Sequence, residues 1–350
     1  MPIAATAELL ARVSRLPRVA LATLPTPLER GPELPGGARL WVKRDDLTGL
    51  GAGGNKARKL EFLCGEAVEG GAGALVTVGA GQSNHCRMTA AAAAILGLDA
   101  HLVLSGERPD RLAGNQLLAE LFGAQLHFAG CPAHHWGELE IARERVTADL
   151  AGDGAVPHSI PLGGSTAVGA VGYVVGFVEL LDQLAAQAIV PKAVVFTSSS
   201  GGTHAGLVAG RALARAARTA RVGPLPDLVA VGVAKGVLAG QPSVADLAAD
   251  AIGLLGFDAH RAQSLVDDDG PPEVDDRWLG DDYAVPSAAG DEAMRWAARR
   301  GGWVLDRTYT GKGFAGLLGN DADGRWGPGD DVVFVHTGGS PAVFTTDGTP

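Results

Sequence analysis

An α/β fold of mostly parallel sheets flanked by helices is what the sequence predicts, on three observations. Apolar runs of four to six residues, such as Ala74-Leu75-Val76-Thr77-Val78 and Ala193-Val194-Val195-Phe196-Thr197, alternate with helix-length segments. Strands that short, apolar on both faces and separated by helices, are the signature of βαβ units. The 51 glycines cluster at the junctions between these runs, where a strand turns into a helix. The length of 350 residues and the 46% hydrophobic content suffice for one or two such domains.

In chain order, 5–15 predicts a short amphipathic helix, and Leu24-Pro25-Thr26-Pro27-Leu28 an extended, turn-bounded path. Strand 40–43 ends in the charges of Arg44-Asp45-Asp46, followed by a glycine loop over 49–54 and a helix over 56–68. Then come strand 74–78, alanine-rich helix 84–96, strand 101–104, helix 115–122, strand 125–128 and helix 138–150. Beyond Pro157 the pattern gives a glycine-containing helix over 166–186, strand 193–197, a polar turn at 198–203 and helix 204–217. Strand 228–233 and helix 241–254 follow, then an acidic loop over 267–282 with eight acids and one base, Arg277. Helices over 290–300 and from 313, a last strand over 331–336 and a frayed end at 345–350 complete the chain.

A net charge of −10 with no compensating basic stripe argues against nucleic acid as a partner. Three cysteines without a C-x-x-C pair imply neither a disulfide framework nor a zinc knuckle, so a reducing, cytoplasmic setting is expected. Cys131 with His134 and His135 lacks a carboxylate at ligand spacing, and no metal is expected. Arginines at 12, 15 and 18 interrupt the N-terminal segment, and no apolar run is expected to span a membrane.

Chemistry concentrates in Gly53-Gly54-Asn55-Lys56-Ala57-Arg58-Lys59. Gly49, Gly51 and Gly54 match G-x-G-x-x-G, but the strand over 74–78 ends without the acid that a dinucleotide ribose requires. Lys56, Arg58 and Lys59 instead place three cations in the first turn of a helix, where the macrodipole disfavours them unless an anion compensates. Ser198-Ser199-Ser200-Gly201-Gly202-Thr203-His204, between a buried strand and a helix, has more hydroxyls and glycines than an N-cap needs and reads as an anion nest. Gly79-Ala80-Gly81-Gln82-Ser83-Asn84-His85 repeats that logic and offers N–H groups to a carboxylate. It lacks G-x-S-x-G and an acidic partner for a hydrolase triad. Tyr283, Tyr309-Thr310-Gly311-Lys312 and His336-Thr337-Gly338-Gly339 lie in loops or at the end of the last strand, where α/β sheets bind ligands. A nucleophilic lysine beside a phosphate nest is the combination that pyridoxal phosphate requires.

The ordered set Leu24-Pro25-Thr26-Pro27-Leu28-Glu29, Lys43-Arg44-Asp45-Asp46, Gly53 to Glu61, Gln82-Ser83-Asn84-His85, 201–207, Tyr309 to Lys312 and His336 to Gly339 resembles the D-cysteine desulfhydrase / 1-aminocyclopropane-1-carboxylate (ACC) deaminase family of fold-type-II pyridoxal-phosphate enzymes. The likeness runs from about residue 16 to 344. It implies a two-domain, tryptophan synthase β-like fold: a large cofactor-binding domain (1–59 and 169–350), an inserted small α/β domain (60–168), and a homodimer. It further implies Lys56 as the Schiff-base lysine and base at Cα, and Asn84 at the ring hydroxyl. Lys59 with Ser200, Gly201, Gly202 and Thr203 would hold the phosphate, and Thr310 or Thr337 would lie near the pyridine nitrogen. Ser83, Asn84, His85, Tyr283 and Tyr309 would face the substrate. Deaminases of this family carry glutamate where this chain has Thr310, and glutamine where it has His85. Threonine brings no negative charge to the ring, which suits α,β-elimination, with D-cysteine giving pyruvate, hydrogen sulfide and ammonia. L-cysteate sulfo-lyases share the Gln-Ser-Asn-His pattern and would release sulfite. ACC deamination, and a carrier or sensor that binds the cofactor without turnover, are the remaining alternatives.

Overall fold

The computed structural model describes residues 4–217, 224–237 and 242–345. Ten strands form two sheets. The larger runs β1 (Leu28–Glu33), β2 (Arg39–Lys43), β10 (Asp331–Val335), β7 (Ala193–Ser198), β8 (Asp227–Gly232), β9 (Val274–Asp275). All its neighbours are parallel except β1 against β2. The smaller runs β5 (Gln125–Phe128), β4 (Asp99–Leu104), β3 (Ala74–Gly79), β6 (Pro157–Ile160), and is wholly parallel. Its strands come from residues 74–160, whereas the larger sheet takes strands from both sides of that stretch.

Helices cover the sheet faces, so the central strands β3, β7 and β10 are buried at every position. The helices are α1 (Ala4–Val13), α2 (Lys56–Glu69), α3 (Asn84–Leu96), α4 (Gly114–Leu121), α5 (Trp136–Gly152) and α6 (Ala167–Ala186). After them come α7 (Gly202–Ala216), α8 (Val244–Leu254), α9 (Ala259–Asp269), α10 (Ala288–Gly301) and α11 (Thr310–Ala322).

Three expectations need correction. The acidic stretch is not all loop: Asp267 to Asp269 finish helix α9, and Val274-Asp275 pair with Ala230 and Val231 of β8. Helix α9 escaped notice because its buried contacts come from only Ala262, Leu265 and Val266, set among polar neighbours. Strand β1, Leu-Glu-Arg-Gly-Pro-Glu, carries no apolar alternation and exists because β2 offers it an edge. Helix α6 is long and apolar enough to cross a membrane by length and composition. It is instead a core helix, packed in one apolar cluster with α7 and α8. The start of the expected helix over 241–254 and the expected frayed end, from 346 onward, fall outside the described residues.

Helix α2 is fixed from two sides. Gly172 of α6 lies so close that a Cβ there would meet the Arg58 carbonyl oxygen at 2.2 Å. Arg58, 1% exposed, donates to Asp45 at 2.8 Å and to Glu179 of α6 at 2.8 Å, and Tyr173 Oη donates to Asp45 at 2.5 Å. Burial alone would raise the Asp45 carboxyl, but the Arg58 guanidinium overrides it and brings the pKa to about 2. An ion pair this deep adds little net stability but is costly to break from one side, so it holds α2 in one register against α6.

Candidate active site

Strands β3, β7 and β10 end at one cavity between the two sheets. Ligand sites of open α/β sheets lie at such carboxyl ends. The first turn of α2 supplies Lys56, the β3–α3 turn Ser83, Asn84 and His85, and the β7–α7 turn Ser198 to Gly201 with Thr203. Tyr309 at the start of α11, Thr337 and Gly338 beyond β10, and Tyr283 from the loop before α10 complete the wall with Trp136 of α5. Chemistry-bearing residues that lie far apart in the chain thus converge, because parallel strands all point the same way.

Lys56 Nζ has a single acceptor, the Gly163 carbonyl at 3.5 Å, among the described residues. Burial brings its pKa from 10.5 down to about 8. Lys59 Nζ donates to the same carbonyl at 2.7 Å and to Ser165 Oγ at 3.5 Å, and burial and the Lys56 charge hold its pKa well below the ordinary value. Among the described residues neither amine meets a carboxylate, and no Asp or Glu lines the cavity. Two amines in the first turn of a helix, Lys59 fully buried and Lys56 half-buried, facing no anion among the described residues, fit a phosphate-bearing aldehyde.

The β7–α7 turn beside them has the geometry of an anion nest. Gly201 is left-handed (φ 83°) and opens α7, whose first N–H groups have no acceptor within the helix. Ser165 Oγ donates to Ser200 Oγ at 2.9 Å and accepts from Gly202 N at 3.2 Å, while Asn55 Nδ2 donates to Thr203 Oγ1 at 3.0 Å. At the cavity's other side Asn84 Oδ1 accepts from Asn115 Nδ2 at 3.0 Å and Arg87 at 3.3 Å, which leaves its amide N–H groups for a ring oxygen. Ser83 caps α3, accepting from Cys86 N at 3.2 Å, with its own proton free to donate. The Tyr283 and Tyr309 hydroxyls are hydrogen-bonded to each other, and the Trp136 ring stands edge-on to Tyr283 at 4.9 Å. Burial raises Tyr283 to about 12 and Tyr309 well above its ordinary value, so both phenols keep their protons at neutral pH.

Three expected positions are not on the cavity wall. Lys59 lies behind it: a Cβ on Gly202 would sit 2.5 Å from its Nζ, so it reaches the nest through Ser165 and the helix end. Thr310, fully buried, donates to Asp306 Oδ1 at 2.7 Å, with the Gly338 carbonyl at 3.2 Å, and Asp306 N donates back to it at 2.9 Å. Of the two threonines considered for the ring nitrogen, only Thr337 lines the cavity. Gly202 is likewise behind the lining, which its neighbours Gly201 and Thr203 supply.

His85 is on the wall as a neutral group. Thr77 Oγ1 donates to the Ile160 carbonyl at 2.8 Å and so accepts from His85 Nε2 at 2.9 Å, which leaves Nδ1 without a proton and without a partner. Burial and the two lysine charges push its pKa far below 6.5. Trp136, Ser165 and Asn55 were missed in the sequence. Asn55 sits inside the Gly53–Lys59 stretch but carries no charge that marks it, and only the packing of the small sheet against the large one brings Trp136 to Tyr283.

The fold and site define a pyridoxal-phosphate enzyme of the α/β class. The chain matches the pyridoxal-phosphate dependent enzyme family over residues 19–338 and belongs to it. It is 38% identical over 341 residues to the D-cysteine desulfhydrases of Salmonella choleraesuis (strain SC-B67) and Salmonella typhi, covering 95% of this chain and 97% of theirs. The crystal structure of an ACC deaminase homologue is similar with a TM-score of 0.81 at 34% identity, over 96% of both chains. Maize serine racemase, at 19% identity and TM-score 0.58 over 97% of this chain and 93% of that one, shares the fold.

Three outcomes follow from the lysines. With Lys56 in the role expected of it, as the amine that meets the aldehyde, the rate of cofactor loading should rise about tenfold per pH unit below 8 and level above it, as stopped-flow absorbance would record. Between about 8 and 10.5 the unfolded chain binds the proton that folded Lys56 has lost, so Lys56's own contribution to the stability of the cofactor-free protein rises with pH, read as the difference between the wild type and Lys56→Ala. A difference that stays constant across that window would mean that Lys56 is not desolvated. Lys59→Met removes a donor to the nest while leaving Lys56. Cofactor affinity should fall about 30-fold, or about 2 kcal/mol, by absorbance titration, with covalent attachment intact. An unchanged affinity would remove Lys59 from phosphate binding.

Proposed function

We propose that this enzyme is a carbon–sulfur lyase that converts D-cysteine and water into pyruvate, hydrogen sulfide and ammonia. The observation that carries the reading is the pairing of a half-buried, desolvated amine, Lys56, with two protonated phenols in a cavity that no carboxylate lines among the described residues. Bound pyridoxal phosphate supplies the sink for the electron pair left at Cα. Lys56 Nζ takes the α-proton, the Ser83 hydroxyl with the N–H groups of α3 orients the carboxylate, and the Tyr283–Tyr309 pair delivers a proton to the departing sulfur. Trp136 and Leu162 exclude bulk water while this happens. The enamine released then takes up water to give the keto acid and ammonia.

Two features favour this reaction over its neighbours. ACC has no α-proton, and opening its ring calls for a protonated pyridine; among the described residues no carboxylate lines the cavity to hold that proton. L-cysteate brings a sulfonate, yet Lys56 is the one cationic side chain on the wall among the described residues, since burial keeps His85 and His204 neutral. A neutral thiol costs less to desolvate there. The 38% identity to D-cysteine desulfhydrases over nearly the whole chain supports the same choice. As part of this proposal the large unit comprises 1–59 and 169–350, the small one 60–168, and the enzyme works as a cytoplasmic homodimer; these rest on the family resemblance and the cysteine usage alone.

The test is a panel of D-cysteine, L-cysteine, L-cysteate and ACC given to the purified, cofactor-loaded protein, with pyruvate, sulfide, sulfite and ammonia measured. Sulfide and pyruvate in equal amounts from D-cysteine are expected. Sulfite from L-cysteate without sulfide from D-cysteine would replace the thiol by a sulfonate as leaving group.

A further inference from the structure

We propose that Lys312 is a positioning residue that clamps the Tyr283 loop to the helix end carrying Tyr309, so that one structural unit sets both hydroxyls. Lys312 lies in the first turn of α11 and is fully buried. A cation there opposes the helix macrodipole, and its Nζ is held by no carboxylate oxygen among the described residues. It donates instead to two main-chain carbonyls, Leu279 at 2.6 Å and Asp282 at 3.0 Å, which bracket the turn leading into Tyr283. Burial lowers its pKa while the charges of Asp282, Asp281 and Asp306 oppose that fall.

Within the stretch it holds, the main chain bonds only locally, Leu279 N to the Asp276 carbonyl at 3.2 Å and Val285 N to the Asp282 carbonyl at 3.3 Å, among the described residues. Asp282, on the turn, makes one outward ion pair, at 3.7 Å with Lys235, which is largely exposed, and accepts from Tyr283 N at 2.8 Å. The Tyr283 ring meets Trp136 and Tyr309, both of which line the cavity. Tyr309 is fixed at the same helix end, its N–H donating to Asp306 Oδ2 at 3.2 Å and its carbonyl accepting from Thr197 Oγ1 at 3.3 Å. Lys312 therefore couples the loop-borne member of the phenol pair to the helix-borne one. Without the ammonium, the buried Leu279 carbonyl loses its donor and the Asp282 carbonyl keeps only Val285 N at 3.3 Å, so the turn carrying Tyr283 moves away from Tyr309.

This inference rests on the reading of Tyr283 as a substrate-facing group, and its test separates the two. Lys312→Met keeps the stem and removes the charge. Turnover of D-cysteine by the holoenzyme should fall about 10- to 100-fold, mostly in kcat, the cost of a misplaced proton donor. On a Tyr283→Phe background the same substitution should cost less than about 3-fold, because its effect passes through that hydroxyl. The second readout needs no substrate. Burial holds all three tyrosines, Tyr173 included, above the ordinary value near 10, so the wild type shows no phenolate absorbance there. Lys312→Met should bring one tyrosine back to about 10. Lys312→Gln, a neutral donor, should restore part of both losses, and it serves for the measurement should the methionine variant fail to fold. Equal losses in both backgrounds, or tyrosines that titrate as in the wild type, would overturn the clamp. A wild type inert toward D-cysteine would sink the lyase reading and leave the tyrosine titration to decide the clamp.

Discussion

Replacing Lys56 by alanine is expected to abolish turnover, with sulfide and pyruvate release from D-cysteine falling at least about 10³-fold. Two functions disappear together: the amine that holds the aldehyde and the base that removes the α-proton, the second alone worth about 10²–10⁴-fold. The loss should not come from unfolding. Lys56 makes only one 3.5 Å hydrogen bond and no ion pair among the described residues, and burial already penalises its charge. The variant should match or exceed the wild type in melting temperature when both are cofactor-free. Reduction with borohydride should fix the cofactor to the peptide containing Lys56 in the wild type and to no peptide in Lys56→Ala. Residual covalent attachment at Lys59 would move the chemistry one helical turn along and overturn the assignment.

Gly172→Ala is the second large effect, and its sign is the opposite of what helix propensity implies. In an isolated helix the change gains about 1 kcal/mol. Here the added Cβ would lie 2.2 Å from the Arg58 carbonyl oxygen, 2.5 Å from its carbon and 2.9 Å from Lys59 N. These are main-chain atoms of α2, which cannot rotate aside, so α6 and α2 must separate. The expected cost is about 2–3 kcal/mol, read as a lower melting temperature. Moving α2 also moves Lys56 and Lys59 and stretches the Arg58–Glu179 bonds that join the two helices. Cofactor affinity should therefore fall in the same variant. A Gly172→Ala protein as stable as the wild type, with normal cofactor binding, would show that α2 is not held by that contact.

Much of this molecule could be read from its residues because the governing signals are local. Strands such as Val194-Val195-Phe196 are apolar at every position because both faces are covered, and that leaves a contiguous run in the sequence. The β3–α3 and β7–α7 turns announce themselves through glycines and hydroxyls that a helix start with free N–H groups requires. Lys56 stands out because three cations in one first turn need an anion. Where the signal was not local the reading stopped short. Helix α9 and strand β1 owe their structure to neighbours rather than to periodicity, and the acidic run hid the end of one element and all of β9.

The site divides in the same way. By itself the sequence determined the α/β class and pointed to Lys56 and the 200–203 turn as the candidate cofactor ligands, since each rests on a few adjacent residues with one physical requirement. Only the tertiary structure decided which groups face the cavity and which stand behind it. Lys59 works through Ser165, Thr310 is engaged by Asp306 and the Gly338 carbonyl, and Trp136 crosses from the small sheet to meet Tyr283. Side-chain direction and burial depend on how α2, α6 and α11 pack, and that packing is set by contacts more than a hundred residues apart, such as Gly172 against Arg58. Residue type names the chemistry that is available; the distance and desolvation that select among those groups arise only when the helices close on one another.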